Sequence, residues 1–376
     1  MARSGSILFG AITFLNINQC CLSSSDGRHT LFSKMKYTYR KSVYWFAVTT
    51  ACSTFLLIIA GGMVTSTGSG LAVPDWPLSY GQLMPPMVGG IFYEHGHRMI
   101  ASFVGLLMLI LAILLWRKEE RRWVRFLGFI GLCAVIIQGI LGGLTVLFLL
   151  PTPISVSHAT LAQTFFCITV SLALFTSRWW MGKTDEARGT LSESTFGLII
   201  AAFISVYVQL ILGALMRHTG SGLAVPDFPL AYGQLFPSLG EESLAQYNEL
   251  LIQSHVRLAA DGAITEGQII IHMLHRYWAI LVSGLIIIAS LRLIRLGNLS
   301  PRFRTLGILL ISALLLQVTL GALTVLSGKN AEISTAHVAN GAFLLALGLL
   351  STLHLMPFRH VSEELPTVTL AGEVTA

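Results

Sequence analysis

The chain has 376 residues, of which 54% are hydrophobic and only 11% charged, with a mean hydropathy of +0.72. So little polar surface excludes a soluble globular enzyme, a disordered chain and, despite the net charge of +6, a nucleic-acid-binding protein. Five cysteines with no CxxC or CxxCH spacing exclude a disulfide scaffold, a CxxC zinc site and a covalently attached c-type haem.

In chain order, the first forty residues hold one apolar run, ILFGAITFL, too short to span a bilayer and without a small-residue cleavage site after it, so a signal peptide is not expected. Met35, just before KYTYRKS, is an alternative start, and Cys20 and Cys21 have no role here. Eight stretches of about 20 apolar residues follow, each long enough to cross: 44–66, 97–116, 124–149, 157–178, 196–217, 271–291, 304–326 and 335–356. An even number of spans puts both termini on one side. Nineteen of the 24 Lys and Arg residues fall on that side; Arg98, Arg217, Arg257, Arg276 and Lys329 fall on the other. The positive-inside bias makes both termini cytoplasmic.

The chain repeats itself. GSGLAVPDWPLSYGQL (68–83) returns as GSGLAVPDFPLAYGQL (220–235), and QGILGGLTVL (138–147) as QVTLGALTVL (317–326). HGHR (95–98) pairs with MLHR (273–276), and SHATLA (157–162) more loosely with AHVANG (336–341). The offset grows from 152 to 178 or 179, which places an insertion near 236–265, the most polar stretch of the chain. The expected fold is an all-α polytopic membrane protein, with eight transmembrane helices as two parallel four-helix bundles from an internal duplication. Its parts are a cytoplasmic segment 1–43, an N-terminal half 44–180, a cytoplasmic linker 181–195, a C-terminal half 196–356 and a cytoplasmic tail 357–376. Gly139, Gly142, Gly143 and Gly321 suit close helix contact, and Cys52, Cys133 and Cys167 read as small core residues.

Packing does not account for repeated histidines. His97 and His275 fall at the outer ends of spans 2 and 6, and His158 and His337 at the outer ends of spans 4 and 8. Ionisable residues within spans usually face the interior and mark function. Imidazoles on facing helices can clamp a porphyrin iron, whereas each half has too few further ligands for zinc or a di-iron centre. Two haem sites are expected near the outer face, His97 with His158 and His275 with His337. Glu94, three residues before His97, shares its helix face if the helix starts that early, and either shuttles protons or is an interfacial carboxylate in water; its counterpart is His272. His95 is read as a loop residue. Arg98 and Arg276 meet either haem propionates or lipid headgroups. Asp75 and Asp227 sit in Pro-bracketed loops, with Trp76 and Phe228 as interface anchors or lids, and Gln138 and Gln317 as interhelical hydrogen-bonding groups. His218, His255 and His354 have no role in this reading.

TGSGLAVPDWPLSYGQ, EHGHR, SHATLAQ and their second-half copies resemble the haem A synthase family over roughly residues 44–356. That resemblance implies oxidation of a ring methyl of haem O to a formyl group by successive hydroxylation, giving haem A for terminal oxidases. It implies haem O as substrate and haem A as product in the N-terminal half, with Glu94, His97 and His158 as catalytic residues. It further implies haem b in the C-terminal half, bound by His275 and His337, so that His97, His158, His275 and His337 are the iron ligands. Partners by the same reading are the bilayer, an electron donor, a haem O synthase and oxidase assembly proteins, with no nucleic acid. The location is a bacterial plasma membrane, since the N-terminal segment is poor in arginine for a mitochondrial transit peptide. Some members carry a cysteine pair in the first outer loop where this chain has Val73 and Ser79, and the second loop has Val225 and Ala231. The main rival is a di-haem b-type electron-transfer protein, which for transfer across the bilayer would need haems at both depths. A transporter would need polar mid-membrane breaks, and against a non-catalytic assembly factor stands only Glu94.

Overall fold

The computed structural model describes residues 37–182, 191–256 and 262–358. The readings on ILFGAITFL, Cys20, Cys21, Met35, Arg257 and the extreme C-terminal tail lie outside the described residues. Hydrocarbon offers no hydrogen bonds to a bare backbone, so each apolar stretch must close its own N–H and C=O groups as a helix. The elements are α1 (Lys41–Ser66), α2 (Gly90–Lys118), α3 (Arg122–Leu147), α4 (Thr152–Phe175), the short α5 (Arg178–Met181), α6 (Glu193–His218), α7 (Glu241–Gln253), α8 (Glu266–Arg295), α9 (Pro301–Leu326) and α10 (Ala331–Leu355). All but α5 and α7 are long and apolar enough to cross a membrane, which gives eight candidate spans among the described residues. No β-strand occurs there; two isolated bridges, Ser79 with Gln82 and Ala231 with Gln234, pin the tips of the two repeated loops.

Helix ends follow local chemistry. Ser192 caps α6 through Thr195 N–H, Thr265 and Gln268 form a reciprocal capping box at α8, and Asn330 caps α10 through Glu332 and Ile333 N–H. The equivalent ends of α1 and α6 are turned by Gly68 (φ 67°) and Gly220 (φ 69°), a conformation that costs glycine nothing.

Within each half the long helices pack in a ring. α1, α2, α3 and α4 contact in succession and α4 returns to α1; α6, α8, α9 and α10 do the same. α2 and α4 contribute Met108, Leu111, Phe165 and Leu172 to the first interior, and Ile199, Ile286, Phe303 and Leu345 fill the second. From Tyr37 onward the chain forms one unit, joined by α1 and α4 on α10 and by α4 on α6. Phe55 stacks on Phe166 at 5.7 Å across the ring of the first half, and Ile58 and Phe166 meet Ala342 and Ala346 of α10. α10 is the most enclosed span, with 67% of its apolar window buried against 39% for its counterpart α4. Elsewhere large apolar side chains such as Phe103, Phe126 and Ile280 point outward, as lipid-facing residues do. Cys52 is among the exposed residues, contrary to its reading as core, while Cys133 and Cys167 are half-buried.

The helices begin earlier than hydropathy suggests. α2 starts at Gly90 and α8 at Glu266, so His97 and His275 lie about two turns inside their helices, not at the ends. Glu94 and His95 in α2, both buried, and in α8 the exposed Glu266 and Gly267 and the half-buried Gln268, depress local hydropathy, so the apolar stretches start later than the helices. His95 is therefore helical, and 6% exposed.

Candidate functional site

The loops 67–89 and 219–240 lead into the membrane helices α2 and, by way of α7, α8, and His97 and His275 lie about two turns further along those helices. Each of the four candidate ligand rings rests against a glycine of the preceding span. An added Cβ would lie 3.0 Å from His97 Cε1 at Gly61, 3.2 Å from His158 Cε1 at Gly142, 3.1 Å from His275 Cε1 at Gly213 and 3.0 Å from His337 Cε1 at Gly321. Gly61 and Gly213 are counterparts in the repeat, as are Gly142 and Gly321. Of the glycines expected to serve helix contact, Gly142 and Gly321 thus cradle imidazoles, Gly143 meets the Trp76 ring, and Gly139 has no neighbour within 4 Å. Trp76 folds over α3 beside the His158 cradle, which suits its reading as a lid.

His97 on α2 and His158 on α4 come from opposite helices of the first ring, and His275 on α8 and His337 on α10 from opposite helices of the second. Amides attend three of the four rings. Gln138 Nε2 donates to His158 O at 2.9 Å and comes within 3.5 Å of its Nε2; Gln317 Nε2 lies 3.4 Å from His337 Nε2, with its Oε1 accepting from Asn340. Gln209 Nε2 donates to His275 O at 3.0 Å and lies 3.1–3.2 Å from both ring nitrogens. Sequence reasoning gave Gln138 and Gln317 an interhelical role and missed Gln209, whose signal was an amide in an otherwise apolar span one turn before Gly213.

A second layer sits between the histidines and the loops. Arg98 Nη1 donates to Asp75 O (2.8 Å) and Leu78 O (2.9 Å), and Nη2 to Val73 O (3.2 Å) and Glu94 Oε1 (2.6 Å). Glu94, 4% exposed, accepts a further hydrogen bond from Val73 N–H at 2.7 Å. Arg276 repeats the clamp on Val225, Asp227 and Leu230 carbonyls. Both arginines thus hold their loops through backbone carbonyls. Where the first half has Glu94, the second has His272, whose Nδ1–H donates to Ser221 O (2.9 Å) while Nε2 accepts from Arg276 Nε (3.0 Å). That partner set fixes a neutral tautomer. His95 shares a 2.8 Å hydrogen bond with Ser79, whereas the second half has Met273 and Ala231 at these positions.

Asp75 holds the loop tip by accepting from Tyr80 N–H (2.6 Å) and Gly81 N–H (2.8 Å), and Asp227 does the same for Tyr232 and Gly233. The Gly81 bond above all keeps the Asp75 carboxyl below its ordinary pKa. The polar insertion lies against the second loop: Tyr247 of α7 stacks on Tyr232 at 3.7 Å and, with Leu251, packs on Ala224, Val225 and Ala231.

The residues fit an iron porphyrin. Nδ1 of His97, His158 and His337 is buried without a hydrogen-bond partner, and each ring is seated where a β-carbon would intrude. Among the described residues no group of three or more His, Cys, Asp or Glu side chains gathers as a metal cage. Paired imidazoles are the chemistry of axial haem ligation.

Fold and site together define a polytopic α-helical membrane protein in which four histidines are each seated against a glycine of the preceding span. The chain belongs to the COX15-CtaA family: its profile, described as cytochrome oxidase assembly protein, matches residues 44–90 and 87–349. The chain is 29% identical over 331 residues to the Heme A synthase of Geobacillus kaustophilus, covering 85% of this chain and 93% of that protein. It is 32% identical over 207 residues to that of Halalkalibacterium halodurans (53% and 67%), and 27% identical over 329 residues to that of Geobacillus thermodenitrificans (85% and 93%). The resemblance drawn from the loop and histidine motifs is borne out.

Proposed function

We propose that this chain is an oxidoreductase of haem A biosynthesis, which oxidises a ring methyl of haem O to a formyl group by successive hydroxylation and so supplies haem A to terminal oxidases. The observation that carries this reading is the broken symmetry of the two sites. The two imidazole pairs of this reading share glycine cradles and arginine-clamped loops, but among the described residues only the first has a buried carboxylate on its histidine helix, Glu94.

In this reading His97 and His158 hold the substrate porphyrin in the half spanning 44–180, and His275 and His337 hold haem b in the half spanning 196–356. When bound, haem b supplies one-electron redox chemistry. Glu94, fixed by Val73 N–H and Arg98, can hold or move a proton at Oε1 or Oε2 beside the reacting methyl. His272 offers the second half no carboxylate. The clamped loops, with Trp76 folded onto α3, keep water from the pocket mouth. An apolar surround suits the long farnesyl tail of haem O. The two halves are read as products of one duplication, with N- and C-termini cytoplasmic and both porphyrins near the outer face of a bacterial plasma membrane. Electrons and oxidant come from outside the chain.

The test is co-expression with a haem O synthase, followed by haem extraction and chromatography. Haem A or its hydroxylated intermediate is expected. Haem O alone, with folded protein bearing two haems, would leave a di-haem electron-transfer protein instead.

A further inference from the structure

The repeat is broken at a second place. At the end of α6 stand Arg217 and His218 where the first copy has Thr65 and Ser66. Arg217 reaches across the seam between the halves. Its Nη2 donates to Gly62 O at 2.8 Å and to Ser66 Oγ. Gly62 adjoins the cradle of His97. Ser66 Oγ also accepts from Thr335 Oγ1 at 3.0 Å, and Thr335 lies two residues before His337. On its own helix Arg217 follows Gln209 and Gly213 by eight and four residues, and both of those touch His275. Residues at this spacing share a helix face. Arg217 therefore stands one turn beyond the His275 cradle, on the loop side.

Among the described residues no carboxylate pairs with the Arg217 charge. The ion pairs among the described residues are Glu94–Arg98 and Glu119–Arg121. A carbonyl and a hydroxyl satisfy one nitrogen of the guanidinium, and Nε and Nη1 have no hydrogen-bond partner among the described residues. A half-buried cation within a membrane span is costly unless an anion pairs with it. Guanidinium groups match carboxylates in both charge and geometry.

We propose that Arg217 anchors a carboxylate of the porphyrin held by His275 and His337. The proposal rests on the two-porphyrin reading and adds the residue that would orient the C-terminal porphyrin about its iron. By contrast, Arg98 and Arg276 each turn both Nη nitrogens toward loop carbonyls, and Arg98 is in addition paired with Glu94.

The test compares iron protoporphyrin with its dimethyl ester, which keeps the ring and iron but removes both carboxylate charges. Haem-free protein in phosphatidylcholine nanodiscs is titrated with each, and uptake at the C-terminal pair is read as the b-type band that His275→Ala abolishes. Wild type should favour the free acid by about tenfold or more, the scale of a charge-assisted hydrogen bond. Arg217→Gln should keep the band and lose most of that preference, while Arg217→Lys, which keeps the charge, should retain part of it. Arg217→Gln with the wild-type ratio and an intact band would make Arg217 a tie between helices only, and would overturn the proposal. So would a wild type indifferent to esterification, which needs no variant to fold. If Arg217 instead holds an acidic lipid, adding phosphatidylglycerol should bind wild type but not Arg217→Gln and leave the acid-to-ester ratio equal in both, again overturning it. A wild type that takes up neither compound removes the two-porphyrin reading itself, a result distinct from the loss of ester discrimination.

Discussion

Replacing Gly321 by alanine separates helix stability from porphyrin binding. Gly321 lies inside α9, where alanine favours the helix by about 0.5–1 kcal/mol. Its new Cβ would stand 3.0 Å from His337 Cε1 and 3.5 Å from Nδ1. Carbon atoms rest comfortably at about 3.5–4.0 Å, so the ring must retreat by about half an ångström. Overpacking of this kind costs about 1–3 kcal/mol. Charged to ligation alone, that is about a 5- to 150-fold loss of haem affinity. Gly284→Ala on α8 is the control, since an added Cβ there meets nothing within 4 Å. Gly284→Ala should unfold in denaturant at or above the wild-type midpoint and Gly321→Ala at or below it, and only Gly321→Ala should bind haem weakly with an altered absorption band. A Gly321→Ala protein that binds and absorbs like Gly284→Ala would refute the cradle reasoning.

Glu94→Gln should keep both haems in the purified protein yet yield no haem A, measured by extraction and chromatography. Arg98→Met should cost about 3–5 kcal/mol by leaving buried Glu94 unpaired, Arg276→Met should cost less because His272 is neutral, and the Glu94→Gln, Arg98→Met double variant should recover part of the loss; denaturant midpoints check all three. The Asp75 carboxyl is held below its ordinary value, so its contribution is complete above the unfolded-state value and fades as pH falls through the lower folded one. Tyr80 and Gly81 amide protection should therefore persist to below the ordinary carboxylate range and then fall, with Asp75→Asn flat across the same window in hydrogen exchange.

Much of this was legible in the chain because membranes impose a simple grammar. Eight apolar stretches gave eight helices, and a near-identical loop repeat with the shorter copies around it tied His97 to His275 and His158 to His337. Glu94 stood out against His272 for the same reason. What escaped were contacts between residues far apart in sequence. Nothing near His95 announces that α2 begins five residues earlier and that Ser79 waits for it across the loop. Gly61 and Gly213 look like ordinary small residues until a histidine from the next helix lands on them. Arg98 and Arg276 read as partners of either haem propionates or lipid headgroups because hydropathy cannot register three backbone carbonyls converging on one guanidinium. The polar insertion gave no hint that Tyr247 would stack on Tyr232.

The account stands on imidazole pairs as iron ligands, and electron paramagnetic resonance of the purified, haem-loaded protein addresses that directly. It predicts a low-spin ferric signal of bis-imidazole character from the C-terminal half, lost equally in His275→Ala and His337→Ala while Gln209→Ala retains it. Protein that stays colourless when haem is supplied, or a low-spin signal indifferent to both histidine substitutions, would contradict it.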